Sequence, residues 1–328
     1  MLKIGIVGLG GISKKAYLPY MHMRQIADVE WHLSTRNEKR LIQVNNLFAC
    51  SKTYSDIDSL AKQDLDGVFI HVATVAHFEV AKLFLQRGIP VYMDKPLTED
   101  FESSLELYKM AKKHDTFLMA GFNRRFAPRV NELSRLSSKR KVHVEKNDSN
   151  RPGDFTFKLF DFFIHPLDTA LYLTDEELIE GNYAYQRKDG QLCQVSVNLR
   201  TENTLITASM NLQSGSRREV MEVQSCEETR QVINLDEVRI YKGTDEEKQN
   251  FGSWDTTLYK RGFETIIDAF LNAVKTGVNP VNPESSLLSH WICHQINTSN
   301  EESGSLSVSL PKNYWENNDA VEKADLRR

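Results

Sequence analysis

Leu2-Lys3-Ile4-Gly5-Ile6-Val7-Gly8-Leu9-Gly10-Gly11-Ile12-Ser13 opens the chain and decides how the rest is read. Six mostly aliphatic residues describe a strand, and glycine follows at once. Gly8 has no β-carbon and permits a tight turn; Gly10 lets a pyrophosphate approach the backbone. Gly11 and Ile12 lead into a helix whose first amides and dipole favour an anion. Ser13 stands where the dinucleotide fingerprint usually has Gly or Ala, so the turn alone also suits a structural strand-to-helix corner. Its place at the head of an alternating α/β pattern favours the dinucleotide.

Outward from that turn, further strands are expected at 29–34, 67–72, 89–93 and 116–120, with helices over 76–87 and 100–114. This is the pattern of a parallel sheet flanked by helices, assigned to residues 1–121. After Gly121 the character changes. A helix is expected over 159–173, strands at 192–199, 204–211, 219–225 and 230–235, and helices over 258–276 and 284–298. Turns at Asp189-Gly190 and Ser214-Gly215 imply a mainly antiparallel second sheet in residues 122–316. Residues 317–328 read as a polar tail.

The 328 residues are enough for two cores, and 40% hydrophobic with 26% charged residues describe an ordinary globular protein. A net charge of −4 argues against a nucleic-acid surface, and no apolar run is long enough to span a bilayer. Cys50, Cys193, Cys226 and Cys293 are scattered, as expected of reduced thiols in a cytoplasmic protein.

The end of the second expected strand selects the cofactor. NAD enzymes place an acidic residue there to hold the ribose hydroxyls. Glu30 lies at the wrong end, about 10 Å away at ~3.3 Å per residue. Ser34-Thr35-Arg36 occupies the tip instead, and a guanidinium with hydroxyls suits a 2′-phosphate. NADP is therefore favoured, with NAD as the alternative.

Asp94-Lys95-Pro96 follows the strand expected at 89–93, at the edge where open α/β sheets place ligands. Proline holds the lysine backbone extended. Asp161, His165 and Asp168 share one face at helical spacing. Asp161 can orient or charge-stabilise His165 to make an acid/base pair, while Asp168 suits a structural hydrogen bond. No second histidine is suitably spaced, so no metal is expected.

These residues reach a family resemblance. The Gly8–Ser13 turn, Asp94-Lys95-Pro96, Gly121-Phe122-Asn123-Arg124-Arg125-Phe126 and Asp161-x-x-x-His165, in that order, resemble the Gfo/Idh/MocA oxidoreductases and most closely their MviM-like branch. The resemblance implies an N-terminal Rossmann domain and a C-terminal α/β domain whose open sheet pairs copies into a homo-oligomer. It implies a catalytic lysine at Lys95, with Asp161 and His165 facing the nicotinamide, and a cofactor-side segment at Thr74 and His77. Asp94 replaces the family's glutamate and is one methylene shorter. Arg124 and Arg125 are candidate cations on the cofactor or substrate side, one of them expected to be a surface salt-bridge partner. Lys146–Arg151 is rich in donors, with Asn150 and Arg151 as candidate substrate contacts.

The expected function is NAD(P)-dependent hydride transfer at a hydroxyl/carbonyl carbon of a polar small molecule such as a sugar or cyclitol, with His165 taking the proton. Two alternatives stay open: a non-catalytic NADP-binding sensor acting through a protein partner, and a reductase of an imine or conjugated system.

Overall fold

The opening hexapeptide, β1 (Leu2–Val7), lies near the middle of a parallel sheet. Its partners are β2 (Val29–Ser34), β3 (Ser51–Tyr54), β4 (Gly67–Ile70), β5 (Val91–Asp94) and β6 (Leu118–Gly121), in the order β3-β2-β1-β4-β5-β6. In this computed structural model the described residues are 1–23, 29–48 and 51–311; the expected tail at 317–328 and Cys50 lie outside them. The central strands β1, β4 and β5 are apolar on both faces because both faces are covered: Ile4, Ile6, Val68, Phe69, Ile70, Val91, Tyr92 and Met93 are all fully buried. Chain direction across the sheet reverses between β1 and β4, which opens a crevice at the strands' carboxyl ends.

One covering helix (Phe101–Lys113) begins at Asp100, whose carboxylate accepts from the Ser103 amide at 2.8 Å, a capping contact. Another comes from far along the chain. The helix Phe263–Thr276 lays Ile266, Ile267 and Phe270 against the first sheet, Phe270 meeting Phe69 edge-on at 4.6 Å between ring centroids. The single helix expected over 258–276 is two helices, Thr257–Lys260 and Phe263–Thr276, broken at Gly262 with φ +78°. A side chain at Gly262 would drive into the Asn123 carbonyl, so the corner admits glycine alone.

The second sheet has nine strands. β7 (Lys139–Lys146), β8 (Glu180–Lys188), β9 (Gln191–Arg200), β10 (Leu205–Asn211), β11 (Glu219–Ser225), β12 (Thr229–Ile233), β13 (Glu237–Lys242), β14 (Asp245–Gln249) and β15 (Ser303–Leu306) lie in the order β14-β13-β12-β11-β7-β10-β9-β8-β15. All pairs are antiparallel except β7 with β10, as the mainly antiparallel expectation requires. One face packs on the helix Ile164–Tyr172. The other carries a ladder of exposed amides and hydroxyls, Gln194 to Gln186 and Asn198 to both Asn182 and Thr207. Among the described residues, no helix is long and apolar enough to cross a membrane.

Beneath the glycine turn lies His71, just past β4, its amide donating to the Val7 carbonyl at 2.8 Å. The ring is buried against Tyr17 at 3.9 Å between centroids, and neither nitrogen has a hydrogen-bond partner among the described residues. Burial, followed by neighbouring His77, pushes its pKa down to about 3. The unfolded chain therefore binds a proton at His71 below about pH 6.5 that the folded chain refuses, and stability falls with pH through that window. His71→Phe should remove this loss. At pH 5 it should gain about 2 kcal/mol on the wild type relative to the difference at pH 7.5. Urea unfolding of both proteins at the two pH values checks this; equal pH dependences would refute it.

Candidate active site

The carboxyl ends of β1, β4 and β5, the segment 155–172 and the adjacent ends of β7 and β11 enclose a cleft of about 1010 Å³. On the first-sheet side, Gly8 has φ +89°, and a β-carbon there would fall 2.8 Å from the His71 backbone. Gly10 and Gly11 face open space, with nothing within 4 Å of an added β-carbon. The chain then turns into a helical segment, π-helical over Ser13–Tyr17 and α-helical over Leu18–Met23. A tight turn, glycines bordering free space and unpaired first amides fit the pyrophosphate of a dinucleotide.

Ile12, Thr74, His77, Asp94 and Lys95, expected on the cofactor side, all line the cleft. His77 begins the helix His77–Leu85 but is buried, not exposed: its Nδ1 lies 2.9 Å from the Pro96 carbonyl and its Nε2 3.2 Å from that of Val72. It ties the end of β4 to the Lys95-Pro96 corner, where the peptide bond is cis. Asp94 accepts from the Lys95 amide at 3.0 Å and from Tyr17 at 3.3 Å, and burial raises its pKa to about 6.

Ser34, Thr35 and Arg36 stand at the tip of β2 beside Gly8, whose amide donates to the Ser34 carbonyl at 3.1 Å, but they do not line the cleft. Ser34 is buried and donates to the Asp56 carbonyl; Arg36 is exposed. Glu30 is held at the far end of β2 by His32 and Lys52, both at 2.8 Å. Arg40 was not anticipated. From the helix Glu38–Asn45 it donates to the Leu9 carbonyl at 2.7 Å, bracing the glycine turn. Its only trace in the sequence is a position one helical turn beyond Arg36.

The chemical side is built differently from the expected helix. Residues Lys158–Phe163 are π-helical and the α-helix proper starts at Ile164. The wider turn carries Asp161 to Lys95: Nζ donates to Asp161 Oδ1 at 2.6 Å and to its carbonyl at 2.8 Å. Asp161 therefore bonds Lys95 and not His165. His165 Nδ1 is met by Arg124 Nη1 at 2.6 Å, while Arg124 also grips both carboxylate oxygens of Glu219. Arginine only donates, so Nδ1 accepts and a neutral ring carries its proton on Nε2. Burial, then the charges of Arg124, Lys146, Lys95 and Arg261, hold the His165 pKa well below its usual value. Arg124 also helps pull the Glu219 carboxyl down to about 2, against the effect of burial.

Arg125 is the structural one of the two arginines, and its salt bridge is buried and not at the surface as expected. It holds Asp168 through two bonds, of 2.9 and 2.5 Å, and Ser289 completes the Asp168 shell at 2.8 Å. Asn150 and Arg151 do not line the cleft; Arg151 is exposed and its amide donates to the Leu212 carbonyl. Lys146, Asn147, Arg217, Arg218 and Glu219 line it instead. The signal for Lys146 was present at the head of the Lys146–Arg151 segment, but its pairing with Glu219 spans two strands distant in sequence. No group of His, Cys, Asp or Glu among the described residues is placed to hold a metal.

Comparison with known proteins agrees with this architecture. Residues 2–122 match the Gfo/Idh/MocA family model, described as an oxidoreductase family with an NAD-binding Rossmann fold, and residues 130–243 match a YceM-like C-terminal domain. The YceM protein of Salmonella typhimurium is 33% identical over 285 residues, covering 85% of this chain and 91% of that protein. The structure of a Clostridium difficile dehydrogenase designated MviM superposes with a TM-score of 0.85 at 30% identity, over 90% of this chain and 98% of that one. Myo-inositol 2-dehydrogenase of Thermotoga maritima is 26% identical over 55% of this chain and 57% of its own. The chain belongs to the Gfo/Idh/MocA family of Rossmann-fold oxidoreductases.

Proposed function

We propose that the chain carries out NADP-dependent hydride transfer to or from the oxygen-bearing carbon of a polar small molecule, a sugar or cyclitol. The observation that carries this reading is the meeting of Lys95 and His165 in one cleft with Ile12, at the end of the glycine turn. The inositol-oxidising relative is consistent with a secondary alcohol as the reacting group. When bound, the dinucleotide supplies the hydride acceptor or donor.

Gly8, Gly10, Gly11 and Ile12 would hold the pyrophosphate, with Thr74, His77 and Asp94 shaping the wall beside it. Ser34, Thr35 and Arg36 would take the 2′-phosphate. The choice of NADP is supported by the absence of an acidic side chain at the tip of β2 and by the capture of Glu30 elsewhere.

Lys95 has three ammonium protons and spends two on Asp161, leaving one for a substrate oxygen. His165 offers a second donor at Nε2, because Arg124 occupies Nδ1. Two donors on one oxygen stabilise the negative charge that develops there as the carbonyl is reduced. Lys95 then passes its free proton to that oxygen, and Asp161 stays hydrogen-bonded to the amine; in the oxidising direction the same proton returns to Nζ. This moves the proton from His165, where the sequence reading placed it, to Lys95, since a ring already protonated on Nε2 donates to the substrate and does not accept from it. Arg124 acts through His165 as a positioning residue. Copies of the chain pair through the polar open face of the nine-stranded sheet, and sedimentation should show a species larger than one chain.

Lys95→Met should lower turnover by about 10²–10⁴-fold with NADPH affinity unchanged. His165→Gln keeps a donor and should lose far less than His165→Leu. Equal losses in His165→Gln and Lys95→Met would instead make the imidazole the base. NADPH should raise the unfolding temperature more than NADH at equal concentration, and no shift with either would remove the enzyme reading.

The glycine turn gives a separate contrast. Gly8→Ala should cost about 1–3 kcal/mol of stability through its backbone conformation. Gly10→Ala should unfold like the wild type yet bind NADPH about tenfold or more weakly, because its methyl enters the space left for phosphate. Unfolding curves and NADPH fluorescence titrations measure both; undiminished NADPH binding by Gly10→Ala would place the pyrophosphate elsewhere.

A further inference from the structure

The ends of β7 and β11 that close the cleft bring together more positive charge than the protein neutralises. Lys146 and Glu219 are paired across the two strands, and the Asn147 amide donates to the Arg218 carbonyl at 2.7 Å. Arg261 joins them from the corner before the helix Phe263–Thr276, its carbonyl held by Asn123 at 2.7 Å. Arg124 arrives from the turn after β6. Of these lining groups, Glu219 is the one carboxylate, and Arg124 already grips both its oxygens. Arg217 is exposed and reaches Asp148 only at 3.6 Å. Neither Lys146 nor Arg261 makes an ion pair among the described residues, although the Glu219 carboxylate attracts both from beyond contact distance; the Phe162 ring centroid lies 5.2 Å from the Lys146 ammonium.

Such an arrangement is self-repulsive. Burial and the charges of Arg124, Lys95 and Arg261 force the Lys146 pKa well below its usual value, and burial with Arg124 lowers that of Arg261. The whole chain carries a net charge of −4, so this positive wall is a local feature and not the protein's general character. It gathers around Lys146 at the end of β7, with Arg124 and Arg261 brought to it from outside the second sheet, whereas Gly8–Ile12 follow β1 of the first. It also adjoins the reacting end of the cleft, since Arg124 bridges it to His165.

We infer that Lys146 and Arg261, beside the Arg124–Glu219 pair, form an oxyanion site that binds a carboxylate or phosphate carried by the substrate near its reacting carbon. The inference rests on the oxidoreductase reading above and sharpens it: the substrate is an acidic or phosphorylated polyol, not a neutral sugar. An oxyanion there accepts from the Lys146 ammonium and the Arg261 guanidinium and relieves their repulsion. It also fixes the neighbouring carbon beside Lys95 and His165.

Inorganic phosphate and malonate, titrated calorimetrically into protein saturated with NADPH, test the site with the cofactor's own phosphate positions filled. Saturable binding is expected, weakened about tenfold or more in Lys146→Met and in Arg261→Gln, restored in Lys146→Arg, and reduced by added sodium chloride. Tighter phosphate would assign a phosphorylated substrate and tighter malonate a carboxylated one. No saturable binding of either anion, or affinities unchanged in both variants, would overturn the site. Urea unfolding shows which variants are folded, and Arg261→Gln decides the matter if Lys146→Met is not. Should NADPH fail to bind, the oxidoreductase reading falls, while the difference between wild type and variants still decides the oxyanion site.

Discussion

Arg124 divides one guanidinium among three elements. It leaves the turn after β6, clamps Glu219 at the start of β11 and donates to His165 on the segment 155–172. All three partners are buried. Breaking one side of such a pair strands a charge away from water, at a cost of roughly 3–5 kcal/mol, so the geometry is strongly enforced. The consequence reaches the chemistry. With Nδ1 occupied by a group that only donates, the imidazole is held in one tautomer and stays neutral as pH falls well past its ordinary range.

The next residue makes the contrast clear. Arg125 points to Asp168 and Ser289 and forms a second buried polar cluster between the turn and two helices. The two neighbours thus share the joining of the first sheet's edge to the rest of the chain, and one of them also adjusts the site. Asp161 shows the same economy. The π-helical turn at Lys158–Phe163 advances its carboxylate to Lys95, so that the lysine is oriented by a side chain sixty-six positions away.

Legibility in the sequence followed the range of the interactions. The glycine turn was readable because its cause is local: Gly8 needs a positive φ and its neighbours need room. Five of the six strands of the first sheet were readable because burial leaves largely apolar runs, whereas β3, Ser-Lys-Thr-Tyr at the sheet's margin with no buried residue, escaped. β7 escaped, although it lies at the centre of the second sheet, because Lys139-Arg140-Lys141 reads as a solvated stretch and Val142 and Val144 are its only buried apolar residues. β13 and β14 escaped for the same reason, as charged strands on the margin of the sheet. Asn150 and Arg151 looked like pocket residues by composition, but the chain turns at Asn150, with φ +49°, and carries them out of the cleft.

What the sequence determined by itself was the inventory: a dinucleotide turn, a lysine at a strand end, an aspartate and a histidine one turn apart, and the family that holds them in this order. These are matters of short-range spacing, and short-range spacing sets backbone conformation directly. Tertiary structure decided the partnerships. Asp161 went to Lys95, His165 to Arg124, Arg125 to Asp168, and Lys146 to a wall without a balancing carboxylate. Each choice is between charged groups far apart in the chain. Their energies depend on distance and burial, quantities that exist only once the two sheets have packed.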